Sequence, residues 1–168
     1  MIRRPDAGEP GAAPLRRLVL LAPVVFAAHV AEEAPGFVAW FNALVPRGIT
    51  QPLFLTVNAA AMAVTLAVSA LVAAAAGGGS GLLLAAWVGF LMLANGLFHL
   101  VGTIAHAKYC PGLVTGTLLY LPFGALVLRR IVRDLQLPPA LVAGAAGIGA
   151  VPMLVHGYLI VFRGSRLF

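Results

Sequence analysis

Charge is scarce in this chain. Of 168 residues only 10% are Asp, Glu, Lys or Arg, and five are acidic, where a soluble domain carries about 25% charged residues. So few charges cannot clothe a water-facing surface, which excludes a soluble globular protein. A single cysteine, Cys110, excludes an internal disulfide. The eleven Lys and Arg give a net charge of +6, but they stand at the ends of apolar runs and do not alternate with aromatics on a polar face. That pattern excludes a nucleic-acid-binding surface and marks membrane topology.

What is abundant is apolar sequence: 61% of the residues are hydrophobic and the mean hydropathy is +1.00. Crossing a hydrocarbon core about 30 Å thick takes roughly 20 apolar residues as helix, because every backbone amide must find its partner inside the segment. Segments 15–34, 52–76, 82–107, 113–128 and 140–162 meet that requirement. The fold class is therefore all-α, a polytopic bundle of about five transmembrane helices. "GGGSG" at 77–81 reads as a flexible turn, "KYCPG" at 108–112 as a helix stop, and "RDLQLPP" at 133–139 as a polar, proline-ended break. In the linker after the first segment, Phe37, Trp40, Phe41 and Leu44 fall at helical spacing and predict a short interfacial helix under the headgroups.

Residues 1–14, "MIRRPDAGEPGAAP", have no apolar period and read as a disordered basic tail ahead of one transmembrane domain, 15–168. The tail and first segment imitate a signal peptide, but the small-residue match for cleavage is poor. Arg3, Arg4, Arg16, Arg17, Arg129, Arg130 and Arg133 fall on one side, against Arg47, Lys108, Arg163 and Arg166 on the other. This bias predicts an amino terminus on the cytoplasmic side of the membrane.

Against this apolar background the stretch "FAAHVAEEAPGF" places His29, Glu32 and Glu33 at i, i+3 and i+4, on one face of the first helix. Asn95, His99 and His106 make a similar stripe on the third helix, and His156 follows Pro152 on the fifth. The first, third and fifth helices are parallel, with these groups towards their C-terminal ends. Gln51, Asn58, Thr115 and Thr117 lie near the N-terminal ends of the antiparallel second and fourth. All five helices thus bring polarity to one leaflet, and ionisable groups at such depth mark a functional site.

Adjacent carboxylates in low dielectric need a cation, either a proton or a metal. His and carboxylate donors suit zinc, iron or manganese. Two histidines from two helices with one or two glutamates make a ligand set, leaving a glutamate as general base. The metal candidates are His29, Glu32, Glu33, His99 and His106, with His156 as a further one.

"HVAEE" at 29–33, "NGLFH" at 95–99 and "YCPG" at 109–112 together resemble, in order, the motifs of the HXXEE family of small bacterial integral membrane proteins, whose function is largely unknown. The resemblance draws attention to His29, Glu32, Glu33, Asn95, His99, Tyr109, Pro111 and Gly112. Glu32, Glu33, Asn95 and Tyr109 are the catalytic candidates. The function expected is a metal-dependent intramembrane enzyme with a lipophilic small-molecule substrate that enters from the lipid bilayer. The alternatives are a small proton-coupled transporter using Glu32 and Glu33, or a non-catalytic membrane scaffold.

Overall fold

The computed structural model describes residues 12–167. Among these residues there are six helices and no strands: α1 Ala13–Glu33, α2 Phe37–Leu44, α3 Gln51–Ala74, α4 Gly78–His106, α5 Leu113–Asp134 and α6 Pro139–Arg163. All but α2 are long and apolar enough to cross a membrane. Of the stretch read as a basic tail, residues 1–11 lie outside the described residues, while Ala13 and Pro14 open α1. Proline suits that first turn, where the missing N–H has no helical acceptor.

Over half of α4 is buried, against 28% or less of each other spanning helix, so α4 is the helix around which the bundle packs. Its contact with α6 depends on missing side chains. A Cβ on Gly89 would stand 2.0 Å from the Ala146 carbonyl oxygen, and one on Gly149 would stand 2.0 Å from that of Ala86. Backbone thus meets backbone, the close approach that small residues permit between membrane helices. Gly89→Ala is expected to lower stability by about 1–3 kcal/mol through overpacking. Gly144→Ala, at a position open to at least 4 Å, should be neutral or slightly stabilising. Thermal unfolding midpoints of the two variants check the contrast.

Away from the polar leaflet, the start of α1 is tied to the end of α5. The Leu15 amide donates to Asp134 Oδ2 at 3.0 Å, and Arg130 flanks the same carboxylate at 3.7 Å. An acid at a helix N-terminus both accepts a free amide and opposes the helix dipole.

Three local expectations change. The turn expected at 77–81 is shorter, because Gly78 already begins α4. Ser80 closes that start by accepting from the Gly77 amide at 3.0 Å, and Gly81 lies against Leu135 and Ile131. The fourth span runs beyond residue 128 to Asp134, since its terminal arginines can continue the helix into the headgroup zone. The short helix exists, but Trp40 and Phe41 are buried in protein with Phe98, Ile160 and Val161. An amphipathic aromatic face looks the same in sequence whether lipid or another helix covers it.

Two spans also contain a π-helical turn, Gly89–Ala94 in α4 and Gly116–Tyr120 in α5. Such turns insert a residue, rotate the helix beyond the insertion, and recur at functional sites. Here one immediately precedes Asn95 and the other ends at Tyr120, and both of these side chains border His29.

Candidate metal centre

His29 and Glu33 lie one turn apart on the last turns of α1 and face His99 across the α1–α4 boundary. One ligand atom from each lies within 4.8 Å of the other two, and all three residues are buried. Glu33 Oε1 is 3.1 Å from His99 Nε2 and 3.5 Å from His29 Nε2. The imidazoles meet edge to face at 4.9 Å, with Tyr120 against His29 at 4.0 Å and Phe37 beside His99 at 5.9 Å.

The outer faces of the two rings assign their hydrogens. Thr115 Oγ1 donates its hydrogen to Glu32 Oε2, so its lone pair accepts from His29 Nδ1–H at 2.8 Å. The Cys110 thiol directs its hydrogen towards the Pro111 carbonyl, so Sγ accepts from His99 Nδ1–H at 3.3 Å. Burial, followed by the charges of Glu33 and Glu32, pushes the Cys110 thiol above its usual pKa and keeps that hydrogen in place. With Nδ1 protonated in both rings, both Nε2 lone pairs turn inward. The Asn95 amide nitrogen, 3.4 Å from His29 Nε2, agrees with that tautomer.

Three acceptors therefore converge on one point. His99 Nε2 is buried without a hydrogen bond although a carboxylate oxygen stands 3.1 Å away, so the nitrogen aims to the side of that oxygen and not at it. Donors that point past one another to a shared centre are what a metal requires. For zinc bonds of about 2.0–2.1 Å, tetrahedral ligand atoms lie roughly 3.3 Å apart; the two edges from Glu33 Oε1, 3.1 and 3.5 Å, bracket that value, and all three ligand atoms lie within 4.8 Å of one another. The residues present thus fit a divalent cation, and Thr115 and Cys110 supply the orienting bonds that metal-ligating histidines need.

Glu32 and Glu33 part company. Neighbours on a helix point about 100° apart, and the Glu32 carboxylate turns to the start of α5. Its Oε1 accepts from the amides of Gly112 at 3.1 Å and Val114 at 3.0 Å, and Oε2 from the Thr115 amide at 2.7 Å; the Tyr109 and Thr115 hydroxyls donate as well. That satisfies the free amides of a helix N-terminus. Glu32 is placed to anchor α5 and to orient His29 through Thr115, and it does not join the metal group. Tyr109 is half exposed and bonded to Glu32, which with partial burial lifts its phenol to about 12. The structure thus places both side chains at the start of α5, outside the His29–Glu33–His99 group.

The other candidates fall outside the trio. His106 is exposed and donates from Nε2 to the Val161 carbonyl at 3.1 Å. His156 is buried one cavity away, its Nδ1 accepting from the Leu167 amide at 3.2 Å. Gly112, at φ +102°, makes the turn into α5, and a Cβ there would come within 2.5 Å of the His99 ring. Only glycine suits both demands.

Thr115, Cys110 and Tyr120 join the site without having been singled out as ligands or catalytic groups. Thr115 had a readable signal, because a helix starting after Pro-Gly at the depth of a buried carboxylate offers that carboxylate its free amides. The buried Tyr120 hydroxyl has no hydrogen-bond partner among the described residues.

Beside the cluster lies a cavity of about 190 Å³. Glu33 and Asn95 contribute to one part of its wall, Phe26, Phe37, Phe54 and Phe98 make much of the remainder, and Arg166 also lines it.

Fold and site together define a five-span helical membrane protein with a buried His₂Glu group that could hold a metal. The chain belongs to the HXXEE family, described as "Protein of unknown function with HXXEE motif", whose model matches residues 20–127. It is similar to the "Uncharacterized protein YrkK" of Bacillus subtilis (strain 168), with 37% identity over 77 residues, 40% of this chain and 49% of the relative. The match thus spans about half of that relative's length. No solved structure matches the chain.

Proposed function

We propose that this protein is a metal-dependent intramembrane enzyme acting on a lipophilic small molecule. The observation that carries the reading is the inward convergence of His29 Nε2, His99 Nε2 and Glu33 Oε1, with both imidazole tautomers set by outer hydrogen bonds. Two histidines and one carboxylate leave coordination positions open, as catalytic zinc and non-haem iron sites do, whereas structural sites are closed by four protein ligands. When bound, the metal supplies Lewis acidity towards an oxygen of the ligand.

The chain's own residues provide the remaining functions. The phenylalanine walls bind an apolar body and exclude water. The Asn95 amide stands at the boundary between cavity and cluster. The Tyr120 hydroxyl beside His29 is available to donate a hydrogen bond. Commitment of Glu32 to α5 weighs against a carrier that works by titrating the two glutamates together. With a cytoplasmic amino terminus in a bacterial plasma membrane, the site lies towards the outer leaflet.

The reading is tested by elemental analysis and by incubating the purified protein with a bacterial lipid extract. About one divalent ion per chain is expected, together with a change in mass of at least one extract component, lost after chelation and restored by the metal. Metal-free native protein contradicts the metal site, and an extract unchanged by metal-replete protein contradicts catalysis.

A further inference from the structure

The cavity that reaches Glu33 also reaches the charged carboxyl-terminal turn. We infer that it binds an anionic amphiphile: an alkyl, acyl or prenyl chain carrying a phosphate or carboxylate, with its tail among the phenylalanines and its head at Arg166 and Arg47. The inference deepens, and rests on, the reading of this cavity as the substrate site.

The mouth is built. After α6, Gly164 takes a left-handed conformation at φ +57° and reverses the chain. The Ser165 amide then donates to the Leu159 carbonyl at 3.1 Å, and the Leu167 amide to His156 Nδ1 at 3.2 Å. His156 is nine-tenths buried and lines the cavity. These bonds fold residues 164–167 back over the end of α6 and hold Arg166 at the opening. Arg166 also lines an adjoining surface pocket of about 360 Å³, which it shares with Arg47, Asn42 and Thr50. Ile49 and Leu53 belong to the walls of both spaces, so the inner cavity and outer pocket are contiguous.

Among the described residues, the charged side chains lining this mouth have one sign. Neither arginine forms an ion pair among the described residues, whose acidic side chains are engaged elsewhere: Glu32 on α5, Glu33 in the histidine cluster and Asp134 with Leu15 and Arg130. Arginine presents a planar fork of donors suited to phosphate and carboxylate oxygens. An apolar tunnel from such a fork to a metal group selects a molecule that is anionic at one end and apolar beyond it. A neutral lipid would leave the arginines unused, and a free anion would leave the aromatic walls unused.

The test uses the full chain in nanodiscs of zwitterionic lipid, with dodecyl phosphate, dodecanol and inorganic phosphate as probes and metal content measured in parallel. Dodecyl phosphate is expected to bind saturably and about tenfold tighter than dodecanol, the difference a charge-assisted hydrogen bond makes. Arg166→Gln should remove that preference while leaving dodecanol binding and metal content unchanged, and Arg166→Lys should restore part of it. Met153→Trp, which narrows the cavity, should weaken both chain-bearing probes. Equal binding of phosphate and alcohol, a preference that survives Arg166→Gln, or equally strong competition by inorganic phosphate would overturn the inference. A metal-free protein that retains the preference removes the metal reading alone, whereas a metal-replete protein without it removes this one alone.

Discussion

Glu32→Ala is expected to lower the unfolding free energy by about 3 kcal/mol, a large part of the marginal stability of a small protein. The change removes an acceptor from three backbone amides and two hydroxyls at the start of α5. Each buried donor left unmatched costs about 1–3 kcal/mol. Val114 is exposed, so its amide can recruit water, which places the total towards the low end. Glu32→Gln retains a carbonyl acceptor and should recover part of the loss. Denaturant titration of the purified variants measures the difference, with metal content of the folded fraction as control. A stable Glu32→Ala protein that has lost its metal would reverse the roles assigned to the two glutamates.

Glu33→Gln is expected to weaken metal binding by roughly a hundred- to a thousandfold. A four-ligand structural zinc site supplies about 10–16 kcal/mol, so one ligand accounts for about 2.5–4 kcal/mol, which is two to three powers of ten in affinity. The replacement nearly preserves volume at a position 5% exposed, and it removes the charge that pairs with the cation. His99→Ala should abolish binding similarly, but it also empties a fully buried ring position. His99→Gln is therefore the cleaner partner, since it fills more of that space. His106→Ala should retain full metal, because that ring is exposed and bonded to the Val161 carbonyl. Competitive titration with a metal chelator ranks the four variants.

The five spans were legible because a bilayer leaves so few ways to write them: the apolar runs must be long, and the breaks near Gly77 and at Cys110–Pro111 are punctuated by residues that stop helices. The shared depth of His29, His99 and Glu33 was legible for the same reason, since parallel helices of known length put equal offsets in one leaflet. Hydropathy could not separate Glu32 from Glu33. Both lie within an arc that includes His29, and only the position of the α5 amides decides which carboxylate turns away.

The burial of Trp40 and Phe41 was hidden by a similar degeneracy between lipid and protein as apolar surroundings. The π-helical turns leave no clear periodic trace, yet they help set the faces presented by Asn95 and Tyr120. The part Cys110 plays was not legible, because it lies in a bond to His99 from a separate loop, and a lone thiol carries no spacing to read.

X-ray absorption spectroscopy on the metal-replete protein tests the central claim most directly, because it counts and identifies the atoms around the ion. The account predicts two imidazole nitrogens and a carboxylate oxygen, with distances near 2.0–2.2 Å if the metal is zinc, an exogenous light atom in the open position, and no sulfur. A sulfur ligand from Cys110, a shell without imidazole, or the absence of a stoichiometric ion would contradict it.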